Sequence, residues 1–192
     1  MNLHNFKVVM PFLCFQLFLI CSIWSQKNNN LIKVGLIEPF FLTFNAAYEK
    51  FVPNSSFSFQ ISGSVTQRTV TIWENISPSI FGYSGDIQGR YYASNKLRGI
   101  YGGAFAEYSR YNIELKIPEG DVSFLSGNSK LLGVVGGYQL VFQSRLYLDF
   151  TLGGGYHFAD YSGKFSDKGK LLPAIISNGL LPKIDIKFGI GF

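Results

Sequence analysis

The last ten residues of the chain, 183–192, alternate strictly between large apolar side chains and side chains that are polar or small. Every second residue counted back from the C-terminus is Phe or Ile: Phe192, Ile190, Phe188, Ile186 and Ile184. A period of two is the spacing of a β-strand that has one apolar and one polar face. Such a strand turns its apolar face either toward a protein core or toward lipid. The rest of the sequence indicates which of these two environments the apolar face contacts.

The same alternation recurs in seven earlier segments: residues 31–37, 40–51, 56–66, 86–93, 99–111, 131–142 and 145–158. It is clearest in 56–66, where Phe57, Phe59 and Ile61 fall on one face and polar side chains on the other. In 99–111 we choose the phase that places Glu107 on the polar face, because a carboxylate that faces lipid is costly. Together with the final strand, these segments predict about eight strands.

The connections between the segments are alternately short and long. Tight turns rich in turn-forming residues are predicted at 52–55, 94–96 and 143–144, and long loops at 66–82, 112–129 and 159–182. If the last strand ends on the side of the tight turns, one more strand must precede 40–51, and residues 31–37 are the candidate. A single long strand bent at Pro39 is the alternative for this region.

The composition favours lipid as the environment of the apolar faces. Hydrophobic residues make up 47% of the chain and charged residues only 15%, which is rich for a soluble domain. Apart from residues 8–24, no stretch approaches the ~20 consecutive apolar residues that a membrane helix needs. The sequence therefore predicts an all-β fold: an antiparallel, up-and-down transmembrane β-barrel of about eight strands, the smallest usual size.

The N-terminal residues are expected to be a targeting segment rather than part of the barrel. Residues 1–25 have a short basic region, an apolar run and Ser25 at the cleavage position, as in a secretory signal peptide. Residues 26–30 are predicted as a polar spacer, and the barrel as residues 31–192.

Charge and cysteine content exclude several classes of function. The formal net charge is +5, but the Lys and Arg residues form no basic run, which argues against nucleic-acid binding. Both cysteines, Cys14 and Cys21, lie in the predicted signal peptide. The mature chain would therefore offer no thiolate for catalysis or for binding a metal.

The predicted inward face of the barrel carries many ionisable side chains. Because a lone charge inside a narrow barrel is costly, we expect opposite charges to pair there. The principal prediction is an interior network of salt bridges that fills the lumen, with Lys183 on the same face. Its members are Glu49, Asp86, Arg90, Glu107, Asp149, Asp185 and Lys187. An ion or proton path along these residues is the alternative.

His157 is the one histidine that would remain after the signal peptide is removed. It is close in sequence to Asp160, Ser162 and Ser166, and His with Ser and an acid can form a hydrolase or acyltransferase site. No nucleophile motif identifies which serine would act. We therefore predict no catalytic residue, and His157, interpreted as a polar side chain at the barrel mouth, is the only candidate.

The closing segment resembles the last strand of bacterial outer-membrane β-barrels, which ends in Phe and has outward apolar residues at alternate positions. This resemblance implies that Phe192 and the four alternating residues before it are an insertion signal read by the barrel-assembly machinery. Over residues 31–192 the chain resembles a small outer-membrane barrel family of Bacteroidetes-type bacteria, a domain of unknown function similar in architecture to OmpA- and OmpX-like barrels. The resemblance rests on Phe44-Asn-Ala-Ala-Tyr-Glu-Lys-Phe51 and on the C-terminal ending. It implies no catalytic residues.

We therefore expect a protein of the Gram-negative outer membrane with a structural or cell-surface interaction role, and not an enzyme. Its expected partners are outer-membrane lipid, the barrel-assembly machinery during insertion, and an extracellular ligand bound through the long loops. No cofactor, metal or nucleic acid is expected. Three alternatives stay open: a lipid A-modifying barrel enzyme, a narrow pore, and a secreted lipocalin-like barrel that buries Phe57, Phe59 and Ile61 around a ligand.

Overall fold

The structure, a computed structural model, describes residues 29–37, 42–69, 77–94, 98–116, 122–142, 145–164 and 178–192. The predicted signal peptide, residues 1–25, lies outside the described residues. The described strands are β1 Asn30–Gly35, β2 Thr43–Phe51, β3 Phe57–Thr69, β4 Ser77–Tyr92, β5 Gly99–Lys116, β6 Val122–Phe142, β7 Leu146–Lys164 and β8 Gly179–Gly191. Among the described residues there is no helix long and apolar enough to cross a membrane.

The eight strands form one closed antiparallel barrel. Each strand pairs with its neighbours in sequence, and β1 also pairs with β8. Residues 31–51 form two strands and not one bent strand, since β1 pairs with β2 from Asn30 opposite Lys50 to Val34 opposite Ala46. The predicted all-β, eight-stranded, antiparallel architecture is confirmed. We call the end of the barrel at which Phe192 lies the C-terminal end, and the opposite end the loop end.

The three predicted long loops, 66–82, 112–129 and 159–182, are too long, because the strands continue into both ends of each. In 66–82, β3 continues to Thr69 and β4 begins at Ser77. In 112–129, β5 continues to Lys116 and β6 begins at Val122. In 159–182, β7 continues to Lys164 and β8 begins at Gly179. The apolar alternation stops where the outward face becomes polar, as at the exposed Lys130 of β6. The backbone hydrogen bonds of an antiparallel ladder do not depend on that alternation and continue beyond it.

Side chains alternate between the outside of the barrel and its interior, with a polarity opposite to that of a water-soluble protein. The outward Ile184 and Leu152 are 67% and 65% exposed, whereas the inward Lys33 and Arg90 are 0% exposed. The phase chosen for β5 places Glu107 inside, where it pairs with Lys183. The apolar faces of the strands therefore surround the barrel, and the polar faces fill it.

The closing strand β8 and the terminal Phe192 turn the five alternating apolar residues outward, and Asp185 and Lys187 of β8 face inward. Two backbone hydrogen bonds join Phe192 to β1: Asn30 N donates to Phe192 O at 3.3 Å, and Phe192 N donates to Asn30 O at 3.0 Å. The terminal residue thus completes the seam that closes the sheet.

An apolar and aromatic cluster fills the interior toward the C-terminal end. Its members are Leu31, Phe51, Tyr92, Tyr101 and Tyr147. The Tyr92 ring lies 5.1 Å from that of Tyr101 and 5.6 Å from that of Phe51, measured between ring centroids. We call these five residues the aromatic cluster.

Gly137 makes room for one member of the aromatic cluster. It lies opposite Tyr101 in the ladder between β5 and β6. A Cβ atom at Gly137 would come within 2.3 Å of the Tyr101 ring and of the Phe150 carbonyl oxygen. The phenol ring can therefore lie over the inner side of β6 and reach Asp149 of β7 only because residue 137 has no side chain.

Candidate functional site

Four charged side chains from four strands meet in the interior beside the aromatic cluster. Lys33 of β1 and Arg90 of β4 both contact Asp149 of β7, with Nζ to Oδ2 and Nη1 to Oδ2 distances of 2.6 and 2.7 Å. Arg90 Nη1 also lies 3.5 Å from Oε2 of Glu49 on β2, and Lys33 forms an ion pair with Glu49. All four side chains are fully buried. Two cations thus contact two anions in this charge cluster, which has no net charge.

Hydroxyl groups complete the coordination of the two anions. Tyr101 Oη donates to Asp149 Oδ1 at 2.7 Å, and Tyr92 Oη donates to Glu49 Oε1 at 2.9 Å. The Ser58 hydroxyl also donates to Glu49. Because a buried carboxylate is costly unless it is both paired and hydrogen-bonded, these hydroxyls help to make the burial tolerable. They also attach the aromatic cluster to the charge cluster.

The two cations have further acceptors. Lys33 Nζ donates to Gln139 Oε1 at 2.7 Å, and Arg90 donates from Nε and Nη2 to Gln88 Oε1 at 3.0 and 2.8 Å. The guanidinium carbon of Arg90 lies 4.5 Å from the centroid of the Tyr101 ring, which is cation–π geometry. The charge cluster is therefore surrounded by amide, phenol and carboxylate groups rather than by open space.

A second group of charges lies on β4, β5 and β8. Lys183 Nζ is 2.7 Å from Glu107 Oε2 and 3.5 Å from Asp86 Oδ2, and it lies 4.6 Å from the centroid of the Phe105 ring. The Ser62 hydroxyl donates to Asp86. This group is less buried than the charge cluster, since the Lys183 and Glu107 side chains keep 11% and 21% exposure.

All seven side chains predicted for the interior network face inward and form three ion-paired groups, two of which are linked by Gln88, since its amide accepts from Arg90 and donates to Asp86. Glu49, Arg90 and Asp149 belong to the charge cluster, Asp86 and Glu107 contact Lys183, and Asp185 forms an ion pair with Lys187. Lys33 is absent from the predicted network, although the alternation of β1 places it on the inward face. The interior tyrosines, Tyr92 and Tyr101, are likewise not predicted as hydrogen-bond donors to the carboxylates.

His157 is buried and faces inward near the loop end of β7. The structure does not bring it together with its sequence neighbours, since Asp160 and Ser162 are exposed on the outward face of the same strand. Ser166 lies outside the described residues. Within the described ranges, no group of three or more His, Cys, Asp or Glu side chains is placed to hold a metal ion.

Three solved structures are similar to this chain over nearly its whole length. Acinetobacter baumannii CarO and CarO2 are both 11% identical, cover 86% of this chain and 98% of their own, and have TM-scores of 0.53 and 0.52. A major outer membrane protein from Thermus thermophilus is 12% identical, covers 85% of this chain and 97% of its own, and has a TM-score of 0.51. At these identities the similarity defines the architecture, an eight-stranded barrel of the kind found in outer-membrane proteins.

A protein-family model identifies the family of this chain. The model of DUF3575, a protein family of unknown function, matches residues 14–171. The chain therefore belongs to the DUF3575 family. No curated protein matches the chain.

Proposed function

We propose that this chain is a bacterial outer-membrane β-barrel protein with a side-chain-filled interior and a structural or interaction role at the cell surface. The observation that carries the proposal is the inverted polarity of the barrel: a continuous apolar outside around an interior of fully buried ion pairs. In a membrane, a closed barrel is the only structure made of strands in which every backbone N–H and C=O group is hydrogen-bonded. The similarity in architecture to CarO and to the Thermus protein supports the same interpretation.

The apolar outside and polar interior of the barrel argue against the alternative of a soluble ligand-binding barrel. Such a barrel would bury Phe57, Phe59 and Ile61, which are instead 52%, 63% and 57% exposed. Its interior would also need space for an apolar ligand, whereas Lys33 and Arg90 lie there with their partners. Large continuous apolar surfaces are rare on soluble monomers and indicate contact with lipid or with another protein.

A pair of arginine substitutions on β7 tests the membrane environment directly. Leu152→Arg places a charge in the middle of the outward apolar face and is expected to lower the free energy of unfolding by about 2–4 kcal/mol in phospholipid vesicles. The control, Ser162→Arg, adds the same charge to the same strand beyond the apolar face and is expected to change stability by less than about 0.5 kcal/mol. The measurement is a urea titration read by heat-modifiable gel migration.

Detergent-free fractionation of the wild-type protein determines whether it is in the outer-membrane fraction or in the soluble fraction. We expect the protein in the outer-membrane fraction, with a folded band that shifts on heating. A soluble protein in which Leu152→Arg is neutral would contradict the proposal.

The interior supports a closed barrel rather than a pore. The aromatic cluster and the charge cluster lie side by side, and Arg90 of β4 contacts Asp149 of β7 through the interior. An eight-stranded barrel is just wide enough for its interior to be filled by side chains. We therefore expect no conductance steps when the wild-type protein is added to planar bilayers, with a known open porin as the positive control. Reproducible steps from the folded wild-type protein would favour the narrow-pore alternative.

The proposed role is not enzymatic. The predicted grouping of His157 with Asp160 and Ser162 does not form, because those two side chains face the opposite side of the sheet. The outward wall of strands at the loop end supports an interaction role, since it exposes polar side chains beyond the apolar face. Lipid A of unchanged mass in a deletion strain is the expected result, and a changed mass would favour the enzyme alternative.

A further inference from the structure

The outside of the barrel is not uniformly convex. An apolar groove of about 570 Å³ lies across β3 to β7 on the outward side, and its lining includes Ile87, Leu132 and Phe158. Gly85 and Ala106 leave space between these larger side chains, because they present little or no side chain there. We call this feature the lipid-side groove.

A second cleft, which has a larger polar share in its lining, adjoins the lipid-side groove toward the loop end. It has a volume of about 380 Å³ and shares Tyr108, Lys130 and Phe158 with the groove. Asn128, Asp160 and Asn178 complete its polar lining. We call it the head cleft, and Lys130 lies where the two features meet.

A hydrogen bond orders one edge of the head cleft, and an arginine lies beside the cleft. The backbone amide of Ala159 donates to Asn178 Oδ1 at 2.7 Å, which holds that side chain at the edge of the cleft. Arg110, which faces outward on β5, lies directly opposite Asn128 in the ladder. Lys130 and Arg110 therefore bring positive charge to the level at which the apolar face ends.

We infer that the lipid-side groove and the head cleft together bind one anionic, acylated glycolipid of the outer leaflet. An acyl chain lies in the groove, a phosphate group contacts the Lys130 ammonium, and sugar hydroxyls bond to Asn128 and Asp160. A cation at the membrane boundary attracts anionic lipid, and amide and carboxylate groups are suitable partners for hydroxyls. This inference rests on the proposed function, since only a barrel inserted in a membrane presents its outside to acyl chains.

A sugar-bearing lipid fits this site better than a simple phospholipid does. The head cleft offers a carboxylate and two amides beside one lysine. A bare phosphate would gain from the ammonium but would be repelled by Asp160, whereas a phosphorylated sugar can use both groups.

Native mass spectrometry of the full-length mature barrel, refolded in a neutral detergent, tests the site. The probe is bis-phosphorylated lipid A, and one molecule is expected to bind to the wild-type protein. Lys130→Gln is expected to weaken binding about fivefold, and Lys130→Glu more than about tenfold, given the contribution of one lysine near an anionic lipid surface. Ala106→Phe fills the lipid-side groove and is expected to weaken binding as well.

Lys50→Glu is the matched control. Lys50 is also an exposed outward lysine beside an apolar groove, of about 590 Å³, but it lies on β2 toward the C-terminal end. Its reversal is expected to leave lipid A binding unchanged. Heat-modifiable migration of each variant verifies that it is folded.

Three outcomes would overturn the inference: equal binding by the wild type and Lys130→Glu, equal binding of phosphatidylglycerol and lipid A, or a protein dimer in place of the lipid adduct. If the wild-type barrel is folded and inserted but binds no lipid A, the inference fails and the proposed function stands. If the wild-type protein does not insert into membranes, the proposed function fails first.

Discussion

Asp149→Asn is expected to lower the free energy of unfolding of the barrel by about 3–5 kcal/mol, the cost of removing one partner from a buried ion pair. Asp149 contacts both cations of the charge cluster, Lys33 and Arg90, at 2.6 and 2.7 Å. Asparagine has nearly the same shape, so packing is retained while one of the two buried negative charges is lost. The measurement is a urea titration of the refolded barrel in phospholipid vesicles, read as the fraction that migrates as the folded band.

Glu107→Gln is the control for this prediction. Glu107 also pairs with a lysine at 2.7 Å, but its side chain and that of Lys183 remain partly exposed. Water can compensate for the lost charge, so we expect a decrease of only about 1 kcal/mol. Similar decreases in the free energy of unfolding in the two variants would contradict the conclusion that the Asp149 charge contributes more because it is fully buried.

Deletion of Phe192 is expected to reduce the assembled barrel in the outer membrane of cells to a small fraction of the wild-type level. The deletion removes both backbone hydrogen bonds to Asn30 that complete the seam between β8 and β1. It also removes the terminal aromatic ring, which is 42% exposed on the outward face. By resemblance to the closing strands of outer-membrane barrels, this residue is also part of the proposed insertion signal. The measurement is the folded band in isolated outer membranes, with degradation products sought in the periplasm.

Two further variants separate the two roles of the terminal residue. Phe192→Ala keeps the backbone bonds but loses the ring, so it is expected to assemble poorly in cells and to refold in pure lipid vesicles. Phe192→Tyr keeps both features and is expected to behave as the wild type. Normal assembly of the deletion variant in cells would contradict the insertion-signal proposal.

The alternation of side chains predicts the face on which a residue lies but not the partner that it meets. It places Arg90 and Asp149 inside the barrel, and the structure has them in contact although they are 59 residues apart. That contact depends on the stagger of the strands around the barrel, which no local pattern contains. Lys33 illustrates the same limit, because its strand has only six residues and its partner Asp149 lies across the closing seam.

The ends of the strands could not be predicted for a different physical reason. In a strand that crosses a membrane, the outward apolar residues mark the part of the strand that contacts lipid. They do not mark the point at which its backbone hydrogen bonds end. The pattern therefore predicts that β6 starts near Leu131, but its ladder with β5 begins at Val122. The size and closure of the barrel, in contrast, follow from counting alternating segments and tight turns.

The unequal lengths of the strands have a consequence for the shape of the loop end. β5, β6 and β7 have 18, 21 and 19 residues, whereas β1 and β2 have six and nine. Beyond Lys130, β6 continues to Val122 and is paired on both sides for most of that length, which at about 3.4 Å per residue is on the order of 27 Å. The barrel thus projects farthest at the loop end on the side of β5, β6 and β7. Because the backbone groups of this projection bond within the sheet, its outward side chains can vary without changing its shape.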